Sequence, residues 1–184
     1  MSSSNSGANS GAKGSANSAA ANIKKHTISL YVHNKPGVLN RTALVFARRG
    51  FNIDSIVASP AHDPSFTHMN IVATGDQRTL EQILKQLNKL VDVVHAVEHT
   101  GEGAIQRELA LIKLRCPAET RTEVMEVAHT FKCRVLDLTE NTITVQVTGT
   151  SDKLDAFHRL VNKYGVLEMV RTGKVLITRG EEIT

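Results

Sequence analysis

One short stretch of this chain, residues 33–41, combines groups that would suit a free amino acid. It reads His-Asn-Lys-Pro-Gly-Val-Leu-Asn-Arg and joins a β-rich segment to a helix-forming one. The first N–H groups of a helix lack intrahelical partners and lie at the positive end of the helix dipole, which favours a carboxylate there. Gly37 lets a ligand approach the backbone closely, and the Asn34 amide can accept from an ammonium and donate to a carboxylate. Val38 and Leu39 would then wall a small aliphatic pocket.

An ordinary strand-to-helix turn remains the alternative explanation of this stretch, because Pro and Asn are common in such turns for conformational reasons. Other chemistry is not indicated. The sequence has no G-x-S-x-G, P-loop or G-x-G-x-x-G motif. His95 and His99 lie on a strand leading into a loop and cannot share a helix face, so metal ligation is unsupported. Cys116 and Cys133 fit free thiols in a reducing cytoplasm. We therefore expect neither catalytic residues nor metal ligands.

The elements that must position the turn follow from the spacing of apolar residues, which is two in strands and three to four in helices. In the first half, strands are predicted at residues 27–33, 52–59, 66–74 and 93–98, and helices at 36–49 and 80–91. The first helix has Pro36 at its first position and Gly50 as its C-terminal stop. The second has Thr79 and Gln82 as a capping box and an apolar stripe that ends at Val91. This β-α-β-β-α-β order is the ferredoxin-like arrangement.

The same order recurs in the second half. Strands are predicted at residues 109–114, 134–138, 142–148, 166–171 and 174–178, and helices at 117–131 and 151–164. We therefore predict an α+β protein with two tandem ferredoxin-like modules, at residues 27–100 and 108–184, joined by a linker at 101–107. Residues 1–26, rich in Ser, Ala, Asn and Gly, are predicted to be disordered because they bury too little apolar surface. Each module leaves a sheet face bare, so we expect a homodimer.

The composition argues against membrane and nucleic-acid partners. No apolar run reaches the roughly 18–20 residues that span a bilayer. The formal net charge of +4 owes much to Lys13, Lys24 and Lys25, which lie in a stretch without acidic residues. RNA-binding modules of this fold stack bases on clustered aromatic residues, whereas aromatic residues make up 4% here, with Tyr31 and Phe66 on strands. A transcription regulator would need a helix-turn-helix motif, and none is predicted.

Several longer stretches resemble the small subunit of acetolactate synthase, also called acetohydroxyacid synthase. The matching stretches run in one collinear order from about Thr27 to Gly180, and they are residues 34–39, 48–56, 80–93, 107–113 and 149–157. The resemblance implies that the N-terminal module is an ACT domain, which dimerises and binds the feedback inhibitor valine at the dimer interface. It implies that the C-terminal ferredoxin-like module joins in activating a catalytic large subunit for branched-chain amino acid biosynthesis.

The resemblance also implies a set of effector-binding residues. Four of them match the turn that holds the polar groups of the effector, and two match a strand reached from the partner protomer: Asn34, Gly37, Val38 and Leu39, then Asn52 and Ile53. Lys35 and Pro36 depart from the acidic–serine pair common in some members. Thiamine diphosphate, FAD and magnesium are expected in the catalytic partner subunit and not in this chain. We expect a non-catalytic, cytoplasmic regulatory protein.

Overall fold

The computed structural model describes residues 23–99, 103–181 and 184. Its first half forms an antiparallel sheet of strand order β2-β3-β1-β4. The elements are β1 (Lys24–His33), α1 (Val38–Ala47), β2 (Asn52–Pro60), β3 (Phe66–Gly75), α2 (Gln77–Leu87) and β4 (Val93–Glu98). Ile28, Leu30 and Val32 alternate along β1 and are fully buried, and they belong to one core cluster with Phe46 of α1 and Leu80 of α2. Both helices therefore cover the same face of this sheet.

The second half repeats the topology with strand order β6-β7-β5-β8. Its elements are β5 (Ala104–Arg115), α3 (Ala118–Thr130), β6 (Arg134–Leu138), β7 (Thr142–Gly149), α4 (Ser151–Val161), β8 (Val166–Arg171) and β9 (Val175–Thr178). Strand β9 pairs with the first four residues of β5. A separate core contains Ile112, Val145 and Phe157. The predicted α+β fold with two tandem ferredoxin-like modules is confirmed.

Several predicted boundaries are wrong. Strand β1 begins at Lys24, inside the predicted disordered tail, because the buried His26 is bonded to Glu98 and to the Gly75 carbonyl at 2.7 and 3.1 Å. The rest of that tail, residues 1–22, lies outside the described residues. Strand β5 begins at Ala104, within the predicted linker, because β9 supplies hydrogen-bond partners there. Of that linker, residues 101 and 102 lie outside the described part.

Both helix starts in the first module also differ from the prediction. Helix α1 begins at Val38 with Gly37 as N-cap, so Pro36 precedes the helix and does not occupy its first position. Helix α2 begins after Asp76, whose carboxylate accepts the Thr79 N–H at 2.9 Å. Hydrogen bonding by the Thr79 side chain, and after it by this backbone N–H, lowers the pKa of Asp76. Asp76 thus replaces the predicted capping box.

The apolar stripe of α2 is shorter than predicted. The helix ends at Leu87, where Asn88 turns to bond the Ala96 backbone in β4. Val91 then lies in the following turn with 95% of its surface exposed.

The helices in the described part of the chain lack the length and the apolar character that a membrane span requires.

The sheet face of the first module that carries no helix is partly covered by the second module. Residues 172–174, between β8 and β9, reach across it, and Lys174 Nζ lies 3.4 Å from Thr27 Oγ1. Gly173 is so close to β2 that a Cβ built on it would lie 2.8 Å from Ser55 Cβ. The expected bare face is therefore partly covered by the chain itself, and Ser29 and Asn70 on it are buried.

Candidate functional site

The turn between β1 and α1 has the backbone geometry of an anion-binding helix start. Gly37 adopts φ +83°, a left-handed conformation that side-chain-bearing residues rarely take, and acts as N-cap without any side-chain cap in the described structure. The Val38 N–H donates to the Lys35 carbonyl at 3.4 Å, so in the described structure it is the Leu39 and Asn40 N–H groups of the first helical turn that remain available to a ligand. The chemistry predicted for this turn, carboxylate binding at a helix N-terminus, is geometrically possible.

A cavity of about 300 Å³ opens beside this turn. Asn34, Gly37, Val38 and Leu39 all line it. The opposite wall consists of residues that the sequence analysis did not identify, and they come from the end of β2 and the start of β3: Ala58, Ser59, Pro60, Thr67 and Met69. Strand β3 brings them there, since it pairs with β1 at His33 and with β2 at Pro60.

The three turn residues other than Gly37 have different roles. Asn34 donates its amide N–H to the Pro64 carbonyl at 3.1 Å, so part of its hydrogen-bonding capacity already holds the loop between β2 and β3. Val38 is only 3% exposed and belongs to the core, so it forms the bottom of the cavity and little of its side chain can be contacted by a ligand. Leu39 is 49% exposed and is the apolar side chain of the turn that a ligand or a second protein can cover.

Two further polar side chains organise the surroundings of the cavity. Asp63 Oδ1 accepts the Ser65 N–H at 2.9 Å, and this bond lowers the pKa of the Asp63 carboxyl and orders the loop that Asn34 holds. Arg41, on the first turn of α1, pairs with Asp92 at 2.5 Å. Its Nη1 would lie 3.0 Å from a Cβ placed on Gly37.

Asn52 and Ile53 do not join the other four predicted residues. They begin β2, whereas the cavity is at its other end, roughly 25 Å away along an extended strand. Asn52 donates its amide to Asp54 Oδ1 at 2.9 Å. Because β2 is an edge strand of its sheet, its outer hydrogen-bonding groups face away from the chain. A single protomer therefore contains the predicted site in two separate parts.

A row of rings crosses the same sheet on the face without helices. Tyr31 lies between His68 of β3 and His95 of β4, with ring centroids 4.9 and 5.6 Å apart. It also stacks on Phe66 at 4.8 Å with 15° between the planes. Rings this close and nearly parallel stack on each other, so their faces are not free to stack on bases. In the part of the chain that the structure describes, no group of three His, Cys, Asp or Glu side chains is placed to hold a metal.

Comparisons with known proteins match both modules. A family model described as AHAS small subunit-like ACT domain matches residues 28–95, and one described as small subunit of acetolactate synthase matches residues 107–180. The chain is 43% identical over 158 residues to a probable acetolactate synthase small subunit of Archaeoglobus fulgidus, covering 86% of this chain and 99% of that protein. It is 42% identical to the acetolactate synthase small subunit of Mycobacterium leprae, covering 86% and 94%.

Among solved structures, the fold is similar to the acetolactate synthase small subunit of Thermotoga maritima. The TM-score is 0.78 at 37% sequence identity, covering 86% of this chain and 99% of that one. The relatives are thus matched over nearly their whole length and across both modules.

Proposed function

The chain belongs to the family of acetolactate synthase small subunits, regulatory subunits with an ACT domain, and from this membership we propose that it senses valine. We propose that it has no catalytic activity of its own and forms a complex with a separate catalytic large subunit. Thiamine diphosphate, FAD and magnesium would be bound by that large subunit. The complex would work in the cytoplasm, in branched-chain amino acid biosynthesis.

The observation that carries the proposal is the cavity beside the uncapped start of α1. It offers helix N–H groups for a carboxylate next to the Asn34 amide, whose oxygen can accept from an ammonium. Leu39, Ala58 and Met69 supply apolar surface at the other end. A cavity of about 300 Å³ lies at the lower end of the range for small-molecule sites. Its polar and apolar ends match an amino acid with a short aliphatic side chain.

A homodimer through the β2 edges would unite the two parts of the predicted site. If two β2 strands pair antiparallel around a two-fold axis near Ile56, the partner's Asn52 comes opposite Pro60 of this chain. Pro60 lines the cavity, and Ile56 is 37% exposed on that edge. Such pairing also removes an unprotected sheet edge, which is otherwise open to aggregation.

Inhibition would then follow if the dimer has two arrangements of its protomers and valine binds one of them more tightly than the other. Valine held by residues of both protomers stabilises the arrangement that closes the site. If the catalytic subunit prefers the other arrangement, the two binding events oppose each other with a coupling free energy of about 1–3 kcal/mol.

Calorimetric titration of the wild-type chain and two matched variants tests the site. Gly37→Asp places a side chain and a negative charge at the helix start, so saturable valine binding should be lost. Gly50→Asp is the control, because Gly50 also has positive φ, at the other end of α1, with no atom within 4 Å of a Cβ. The effector site is wrongly assigned if wild type and Gly37→Asp bind valine equally. Absence of valine binding by wild type, both alone and with its catalytic subunit, would contradict the proposed function itself.

A further inference from the structure

Asp92, in the turn before β4, contacts both ends of the segment that forms the candidate effector site. Its backbone carbonyl accepts the N–H of His33, the last residue of β1, at 2.8 Å. Its carboxylate accepts from Arg41 Nη2, in the first turn of α1, at 2.5 Å. Residues 34–40, which we call the effector turn, lie between these two contacts in the chain. A single residue therefore holds the effector turn where it begins and where it ends.

The two ends of the effector turn are not equally well fixed by other contacts. At the start, Asn34 is tied to the loop between β2 and β3, because its backbone N–H donates to the Ser65 carbonyl at 2.8 Å and its side chain to the Pro64 carbonyl at 3.1 Å. At the end, Val38 packs in the core, and Leu39 is half-exposed. The end that carries the free N–H groups therefore depends on the core contact of Val38 and on the ion pair of Arg41.

The guanidinium of Arg41 also lies against Gly37. A Cβ built on Gly37 would be 3.0 Å from Arg41 Nη1 and 3.8 Å from Cζ. Residues four apart are neighbours on a helix surface, and helical side chains point towards the N-terminus of their helix, so Arg41 reaches back over the helix start. Its charge is thereby placed beside the N–H groups to which we assign the carboxylate of the effector.

The exposure of the two partners favours one position of the guanidinium. The Asp92 side chain is 17% exposed, whereas the Arg41 side chain is 46% exposed. In the part of the chain that the structure describes, Arg41 is the side chain that pairs with the Asp92 carboxylate. A largely buried carboxylate needs a partner because it has lost most of its water. Asp92 therefore keeps the guanidinium over Gly37.

We propose that the Arg41–Asp92 ion pair is a positioning contact of the effector site, which keeps the Leu39 and Asn40 N–H groups directed at the ligand carboxylate. Neither Arg41 nor Asp92 lines the cavity, so both act through the effector turn and not by touching the effector. The inference rests on the proposed valine site, and it adds the residues that keep this site formed before the effector arrives. A turn that is correctly arranged for only part of the time lowers the apparent affinity by that fraction.

Calorimetric titration of full-length variants with valine, under the conditions in which wild type binds, tests the proposal. Arg41→Gln and Asp92→Ala each remove the pair, and Asp92→Ala retains the carbonyl that bonds His33. Each should weaken valine binding about tenfold. The double variant should bind no more weakly than either single variant, because both changes remove the same contact.

The charge-conserving variant Arg41→Lys separates positioning from a general loss of structure. One arm of the guanidinium, Nη2, contacts Asp92, so a lysine ammonium can replace it, and valine affinity should return to within about threefold of wild type. Urea unfolding midpoints of all variants should stay near that of wild type, because a half-exposed ion pair contributes little to global stability.

The Lys113–Glu168 pair is the matched control, since it joins two strands of the second module at 3.2 Å and its lysine side chain is 45% exposed. Lys113→Gln with Glu168→Ala should bind valine like wild type. The proposal is overturned if Arg41→Gln and Asp92→Ala bind valine like wild type, if their losses add in the double variant, if Arg41→Lys binds as weakly as Arg41→Gln, or if the control pair has the same effect. Absence of valine binding by wild type itself would instead contradict the proposed function, and this inference with it.

Discussion

Among the described residues, Glu108 is the most deeply buried carboxylate. It is 7% exposed at the start of the second module, and it accepts hydrogen bonds from Arg171 and from the Ser151 hydroxyl. Arg171 also donates to Asp155 at 2.5 Å. Burial lowers the pKa of Arg171, but its bonds to Glu108 and Asp155 outweigh this and raise the pKa above its ordinary value. These four side chains tie β5, β8 and α4 together.

The two carboxylates of this cluster should differ strongly in their effect on stability. Glu108→Gln leaves Arg171 without its buried counter-charge and should lower the free energy of unfolding by about 3 kcal/mol. Asp155, which is 48% exposed, is screened by water, so Asp155→Asn should cost less than about 1 kcal/mol. Urea unfolding of the two variants measures both values, and equal losses would contradict the burial argument.

Part of the candidate site is predictable from residues that are consecutive in the chain. Asn34, Gly37 and Leu39 follow a strand end and precede a helix, so local rules place them together. Ala58 and Met69 were not predictable, because they reach the turn only through pairing of β3 with both β1 and β2.

The predicted helix starts lie two or three residues from the observed ones, because residue type alone does not select the N-cap. Asp76 and Thr79 are both good N-caps by type, and the backbone conformation decides between them.

At the scale of elements, the helix-free face of the first sheet concentrates histidines on adjacent strands. His68 lies on β3 and His95 on β4, and His99 just after β4 is bonded to Ser29 of β1 at 2.6 Å. Burial lowers the pKa of His68 and of His99, and proximity to His95 lowers both further. The nearby charged side chains of the second module, Arg107 and Lys174, are cationic and cannot stabilise protonated imidazoles.

This arrangement predicts acid sensitivity with a definite sign. The folded-state pKa values of His68 and His99 lie below the unfolded value of about 6.5, so below that pH the unfolded chain binds more protons. The free energy of unfolding should therefore be fully present above about pH 6.5 and should fall as the pH decreases from there. Urea unfolding across this range measures the slope.

Two substitutions separate this effect from general acid unfolding. His68→Gln with His99→Gln should flatten the slope below neutral pH. His129→Gln, on the exposed side of α3, should leave it as in wild type. A slope that survives the double substitution would mean that other groups cause the acid sensitivity.

The order of elements was predictable, because the alternation in β1 and β7 and the stripes of α2 and α4 report which face is buried. What local pattern does not contain is pairing between distant segments. The early start of β5 depends on β9, and the early start of β1 depends on Glu98 and Gly75.

At the scale of the whole molecule, Gly173 makes a close contact between the two modules. Gly173 is buried with φ +85°, directly over Ser55 of the strand whose edge would form the dimer. Any larger residue there must push the second module away from β2.

Gly173→Ala should therefore loosen the contact between the modules. Gly180→Ala is its control, since Gly180 has a similar φ of +74° with no atom within 4 Å of a Cβ. Both variants should lose about 1–2 kcal/mol from backbone strain, but only Gly173→Ala should also speed amide hydrogen exchange in residues 55–57. Equal exchange in both variants would contradict a close fit of the modules at this point.

The position of Tyr31 in its row of rings has an optical consequence. The chain has no Trp and two tyrosines, one in each module. Tyr31 lies between two imidazoles, whereas Tyr164 donates its hydroxyl to Glu123 at 2.9 Å in the second module. Ultraviolet emission of a Tyr164→Phe variant would report on the first module alone, and that of Tyr31→Phe on the second. The melting of each half can thus be followed without attaching a dye.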